Sequence, residues 1–261
     1  MEIVIQPDPE LAGDLIAQEI VRLYRRKPTA VLGLATGSTP LPVYEALRRR
    51  HEAGEVSFAE GQAFILDEYV GLPEGHPESY RTVIRTELVD HVDFPRHALH
   101  APEVEAEDLE RAVLAYEWAI RDTGGVDLQL LGIGENGHIG FNEPGASLAS
   151  RTRVGYLTPS TVAANARFFD DDESQVPRRC VTQGLATIMT AHHLVIIATG
   201  EKKARAVAQM IEGPVSQRWP ASVLQHHTHV TVLLDEGAAS QLELADYYRE
   251  AYGSVPSWRI I

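Results

Sequence analysis

Six short apolar runs constrain this 261-residue chain more than any other feature: 2–5, 30–35, 62–66, 128–133, 193–198 and 230–234. Each is rich in Val, Ile or Leu, as strands are when helices cover both faces of a parallel sheet. Amphipathic stretches with helical spacing lie between them. In 9–26 the apolar positions are Leu11, Leu15, Ile16, Ile20 and Leu23. Asp8 is placed to cap that helix, with Pro9 at its first position. Stretches 40–53, 106–123 and 202–212 read the same way. Strands alternating with helices predict βαβ units with right-handed crossovers. The expected fold is α/β: a doubly wound, mainly parallel sheet with helices on both faces, a Rossmann-like three-layer sandwich.

No repeat or Pro/Ser-rich linker interrupts the pattern, so one domain over 1–261 is expected. The polar segment at about 158–181 breaks the alternation. Its acids at 170–173 suit a solvated loop, and the segment as a whole suits a mobile lid. The single cysteine, Cys180, excludes an intramolecular disulfide and a Cys-based zinc cluster, and fits a reducing cytosol. The start MEIVIQPDPE lacks a basic, apolar leader, and no apolar run is long enough to span a membrane. A cytoplasmic protein without membrane contact is expected. A formal charge of −14 argues against nucleic-acid binding. It still allows a small anionic ligand met by local cations.

Four segments carry candidate chemistry. Residues 35–40, ATGSTP, follow a predicted strand and precede a predicted helix. Gly37 permits close backbone approach, and Ser38 or Thr39 can cap the helix. Such a turn is either an ordinary capped turn or an anion site at a helix N-terminus. No P-loop or GxGxxG pattern is present, which disfavours nucleotides. In FILDEYVGL, Asp67 and Glu68 follow a buried strand, and alternation lets only one of them face a shared pocket. That carboxylate is either a proton acceptor or a helix cap. HPESY, at 76–80, either lines the same mouth or starts the next helix.

The richest stretch is 132–144, GIGENGHIGFNEP. Four glycines within nine residues imply a tight backbone, and Asn136, His138 and Glu143 supply a carboxamide, an imidazole and a carboxylate. His138 can shuttle a proton near neutral pH, and a neighbouring carboxylate would fix its tautomer. Zinc is the competing chemistry, but one His and one Glu fall short of three ligands. His226, His227 and His229 lack the HExxH spacing. Arg167, in ANARFF, and Lys203, in ATGEKKA, are either surface charges or phosphate partners, with Lys202 an equal candidate by position.

Taken together, GLATGSTPLPVYEAL, FILDEYVGL, HPESY, GIGENGHIGFNEPGASLASRTR, ANARFF and ATGEKKA resemble the glucosamine-6-phosphate deaminase family, within the superfamily that includes 6-phosphogluconolactonases. The resemblance runs along nearly the whole chain. It implies conversion of glucosamine 6-phosphate and water to fructose 6-phosphate and ammonia in amino-sugar catabolism. It implies no metal and no organic cofactor, and leaves a homo-oligomer open. Asp67 becomes the base that moves the C2 proton to C1. His138 assists ring opening, supported by Glu143 and Asn136. The latter position holds Asp in some members, and its carboxamide can orient His138 but cannot accept a proton. Thr36, Gly37, Ser38 and Thr39, with Gly137, Arg167 and Lys203, are implied to hold the phosphosugar. Some members are activated by N-acetylglucosamine 6-phosphate. Here Arg153 is retained, but Ala146 and Gly155 replace Ser and Lys, so weak or absent activation is expected. The alternatives are a lactonase or simple isomerase on the same fold, or a non-catalytic sugar-phosphate sensor.

Overall fold

The computed structural model describes residues 1–253 and 256–257; the remainder of the expected 1–261 span lies outside the described residues. The strands are β1 (Glu2–Gln6), β2 (Val31–Leu34), β3 (Gln62–Ile65), β4 (Asp67–Val70), β5 (Leu99–His100), β6 (Leu128–Leu131), β7 (Arg153–Tyr156), β8 (Arg179–Thr182), β9 (His193–Ala198) and β10 (Val230–Asp235). Seven of them form one sheet in the order β1-β10-β9-β6-β2-β3-β5. Every pairing within it is parallel. All six predicted runs are strands of this sheet. The edge strand β5 is the addition, and two residues are too few to show a period.

Helices cover both faces, making the expected three-layer sandwich. Helix Pro9–Arg26 starts where the sequence places it: the Asp8 carboxylate accepts from the Glu10 amide at 2.9 Å. It packs closely on helix Leu41–Glu52, since a methyl at Gly13 would lie 2.7 Å from Pro42 Cβ. None of the helices among the described residues is long and apolar enough to cross a membrane.

Strand order fixes where a ligand can sit. From β2 the chain proceeds outward through β3 and β5, then returns to β6 on the other side of β2 and continues through β9 and β10. The reversal lies between β2 and β6. Loops leaving the carboxyl ends of these two strands diverge and leave a crevice there.

A second sheet, antiparallel in the order β4-β8-β7, stands at that end. After Leu66 the chain passes directly from β3 into β4. The Leu66 carbonyl accepts from the Gln183 amide at 2.8 Å, which fastens the two sheets together. Tyr69, Phe141, Leu157, Val162, Phe169 and Cys180 form a small apolar cluster beside this sheet. The expected loop at 158–181 is therefore largely structured. Thr158 caps helix Pro159–Asn165, a 3-10 turn follows at Ala166–Phe168, and the segment ends in β8. Its Val162, Phe169 and Val176 are buried, while the acids Asp170 and Asp171 are exposed on a left-handed turn.

Candidate functional site

The loops after β2, β6 and β9, together with the start of β4, enclose a cleft of about 630 Å³. Thr36, Gly37, Ser38 and Thr39 line it, as do Asp67, Asn136 and His138, and Arg167 and Lys203 complete the set. Two expected residues stand back from it. Glu143 lies behind His138. Gly137 is buried and turned away: its carbonyl accepts from the Ala221 amide at 2.9 Å, and a methyl there would meet Trp219 Cε3 at 2.6 Å. Gly137 thus shapes the loop without lining the cleft.

Alternation along β4 separates the two adjacent acids. Asp67 faces the cleft yet is only 5% exposed. Burial drives its pKa well above the usual carboxylate range, and the Glu68 charge pushes the same way; the Phe141 N–H opposes them in part. Glu68 turns aside and accepts from the amides of Tyr69, Tyr80 and Arg81 at 2.8–2.9 Å. It therefore helps to hold the start of helix Tyr80–Glu87, whose side-chain cap is Ser79. The HPESY segment fulfils both readings, because Tyr80 also lines the cleft.

The loop after β6 is organised around Glu143. Its Oε2 accepts from Asn136 Nδ2 at 2.7 Å and faces His138 Nδ1 at 3.4 Å; its Oε1 accepts from the Thr158 amide at 3.1 Å. Burial alone would raise the Glu143 pKa. His138 outweighs it, with help from Thr161 and Thr158, and holds the group at about 2. Asn136 Oδ1 accepts from the His138 amide at 3.2 Å, so the carboxamide bridges loop and carboxylate. An Asp at 136 would instead set two carboxylates against each other. Gly134 makes room for the ring, since a methyl there would overlap the His138 imidazole at 2.3–2.6 Å. Gly140, with φ of 53°, brings the same loop up to Asp67: a methyl there would lie 3.3 Å from Asp67 Oδ2.

The same cleft also carries cations, among them Arg167, Lys202 and Lys203. Gly37 adopts φ of 97°, a conformation that favours glycine. Neither Ser38 nor Thr39 caps the next helix. It begins at Leu41, with Pro40 at the cap position and no side-chain cap bond, so the capping expectation is corrected. Proline fits because the first helical turn needs no amide donor there. Burial lowers the Lys203 pKa; Glu135 pulls it up, while Arg167 and Lys202 press it further down. These three cations are close enough to feel one another.

Sequence reasoning passed over Arg205, Arg218 and Trp219, which also line the cleft. A Trp beside an Arg in a polar stretch carries no pattern that marks it. The histidines weighed for zinc lie at the opposite, amino edge of the sheet. His193 opens β9 and stacks on His229 with ring centroids 3.6 Å apart. Both ring nitrogens of His227 meet backbone carbonyls, of His229 at 3.0 Å and Ala191 at 2.9 Å. Among the described residues, no group of three or more His, Cys, Asp or Glu could hold a metal ion.

Comparison with known proteins gives concordant results. The family model for glucosamine-6-phosphate isomerases/6-phosphogluconolactonase matches residues 10–233. A glucosamine-6-phosphate deaminase of Mycolicibacterium smegmatis is 58% identical over 259 residues, covering 99% of this chain and 99% of its own. The solved structure of a monomeric glucosamine-6-phosphate deaminase superposes with a TM-score of 0.90 at 40% identity, covering 92% of this chain and 100% of that one. The 6-phosphogluconolactonase from Trypanosoma cruzi gives 0.75 at 21% identity, covering 93% and 97%, which is a likeness of fold alone.

Proposed function

Because the chain belongs to the glucosamine-6-phosphate isomerase/6-phosphogluconolactonase family, and stands among its deaminases, we propose that the cleft converts glucosamine 6-phosphate and water to fructose 6-phosphate and ammonia. The observation that carries this reading is Asp67, a carboxylate buried at the cleft wall with a raised pKa. Desolvation makes it a stronger base than an exposed Asp, as removal of a carbon-bound proton requires.

The roles follow from position. With Nδ1 facing Glu143, the imidazole of His138 keeps Nε2 for the sugar ring oxygen, and proton exchange there opens the pyranose. Asp67 then takes the C2 proton and returns it to C1. The resulting C2 imine adds water and releases ammonia, leaving the C2 ketone. Arg167, Lys203 and the loop of Thr36–Thr39 fix the phosphate, so that C2 and the ring oxygen lie between base and shuttle. No step calls for a metal or an organic cofactor. The segment 158–181 acts as a lid: it carries Arg167, and its first residue bonds Glu143. A cytoplasmic place in amino-sugar catabolism follows from this substrate.

A coupled ammonia assay on wild type and Asp67→Asn tests the reading. Wild type should release ammonia from glucosamine 6-phosphate. The variant should lose on the order of 10³-fold in kcat and lose C2-proton exchange, yet still bind the sugar. Undiminished turnover in the variant removes Asp67 from the mechanism. Activation by N-acetylglucosamine 6-phosphate is not expected. Arg153 is engaged by Asn142 Oδ1 at 2.7 Å, and Gly155 packs so that a methyl would lie 3.2 Å from Cys180 Sγ. Rate curves with and without that effector should coincide; a sigmoidal curve that becomes hyperbolic would contradict this.

A further inference from the structure

The cleft carries more positive charge than a phosphate anchor of Arg167 and Lys203 uses. Lys202, Arg205 and Arg218 stand beside them. Among the described residues none of these five forms a salt bridge, although Arg26, Arg48, Arg50, Arg96 and Arg249 do. Five cations gathered in one cleft, against Glu135 and Glu201 in the same lining, are conspicuous on a chain of net charge −14.

Arg205 and Arg218 also share a mount. Their guanidinium carbons lie 5.5 and 5.0 Å from the centroid of the Trp219 ring. Trp219 is 9% exposed, whereas both arginines are exposed. The indole rests on the turn at Gly137, one residue from His138. Two backbone bonds tie its loop to the catalytic loop: Gly145 N–H to Gln217 O at 2.8 Å and Ala221 N–H to Gly137 O at 2.9 Å. An aromatic face thus holds the guanidinium groups in place and leaves their charge intact, which a carboxylate partner would cancel.

We propose that Arg205 and Arg218, mounted on Trp219, form a capture rim for the dianionic sugar phosphate, separate from the anchor of Arg167 and Lys203. The rim draws the anion through the negative field of the protein and delivers it to the anchor. This rests on the sugar-phosphate reading of the cleft. Steering of this kind acts on the association rate and fades with salt, because the screening length is about 8 Å at physiological ionic strength.

The test compares wild type with the full-length Arg205→Gln/Arg218→Gln variant. Association of fructose 6-phosphate is followed by stopped-flow tryptophan fluorescence, and kcat/KM by ammonia release, from low to high ionic strength. At low salt the association rate constant and kcat/KM should fall on the order of 3- to 10-fold, with the loss in KM and not in kcat. The difference should close at high salt. The Arg205→Lys/Arg218→Lys variant keeps the charge and should recover most of the rate. Wild-type association at low salt, a defect that persists at high salt, or a loss confined to kcat overturns the rim. The binding experiment reads the rim even if no ammonia is released, so failure of the catalytic reading remains distinguishable.

Discussion

Among the acids of the site, Asp67 and Glu143 are buried, and Asn136 and Thr158 hold Glu143 by hydrogen bonds while His138 faces it at 3.4 Å. Among the groups that line the cleft for the phosphate, Ser38 and Arg167 are exposed, Lys203 is half-buried, and Glu135 acts on Lys203 without forming a salt bridge among the described residues. The first group is a network oriented by the protein's own hydrogen bonds, which suits the proposed proton transfer because that chemistry tolerates little misplacement. The second keeps more cations than carboxylates, with Arg167, Lys202, Lys203, Arg205 and Arg218 beside Glu135 and Glu201. Under the proposed roles, the hydrogen-bonded groups are those that must aim at an atom, and the exposed ones are those that hold a charge.

Three variants sharpen or break that contrast, in descending order of effect. Gly134→Ala intrudes on the His138 ring, so kcat should fall on the order of 10²-fold with KM little changed. Steady-state kinetics check this, and a wild-type kcat would mean that the ring position is not critical. Among the cations, Lys203→Met should raise KM on the order of 10-fold or more, with a smaller change in kcat. A larger loss in kcat than in KM would place Lys203 with the chemistry instead of the anchor.

The smallest effect concerns stability. Burial raises the Asp67 pKa in the folded protein above its ordinary value of 3.8. Its folding contribution is therefore fully present below pH 3.8 and lost as pH rises through the folded value. At pH 7 wild type bears this cost, and Asp67→Asn does not. The Asp67→Asn variant should melt about 2–4 °C higher at pH 7, with the gain vanishing at acid pH. Thermal melts across pH check it, and a lower melting temperature at pH 7 would show that the carboxylate is better satisfied than its burial implies.

The parallel sheet was legible because its strands are buried on both faces and read as unbroken apolar runs. The antiparallel sheet was not. DEYV, RVGY and RCVT are short, carry charges and pack on a small cluster, so they lack both the apolar run and a clean alternation. The candidate residues of the site were legible as motifs; strand alternation said that only one of Asp67 and Glu68 would face the pocket, and the resemblance chose Asp67. The place of Gly137 was misjudged, since a glycine can serve a ligand or a neighbouring side chain, and only packing reveals which. Trp219 and its two arginines left no local signature, because nothing in 205–219 shows that the indole will pack on the distant turn at Gly137 and so bring both arginines to the cleft.

The amino-acid sequence by itself determined the α/β class, the helix start at Asp8 and the chemical groups available at the strand ends. These follow from periodicity, capping and residue type, all of which act over a few residues. Tertiary structure alone decided that Asn136 donates to Glu143, that Asp67 is desolvated, and that Arg205 and Arg218 converge on one indole. Desolvation and charge–charge distance depend on what the whole chain packs around a group, and no local run of residues encodes that.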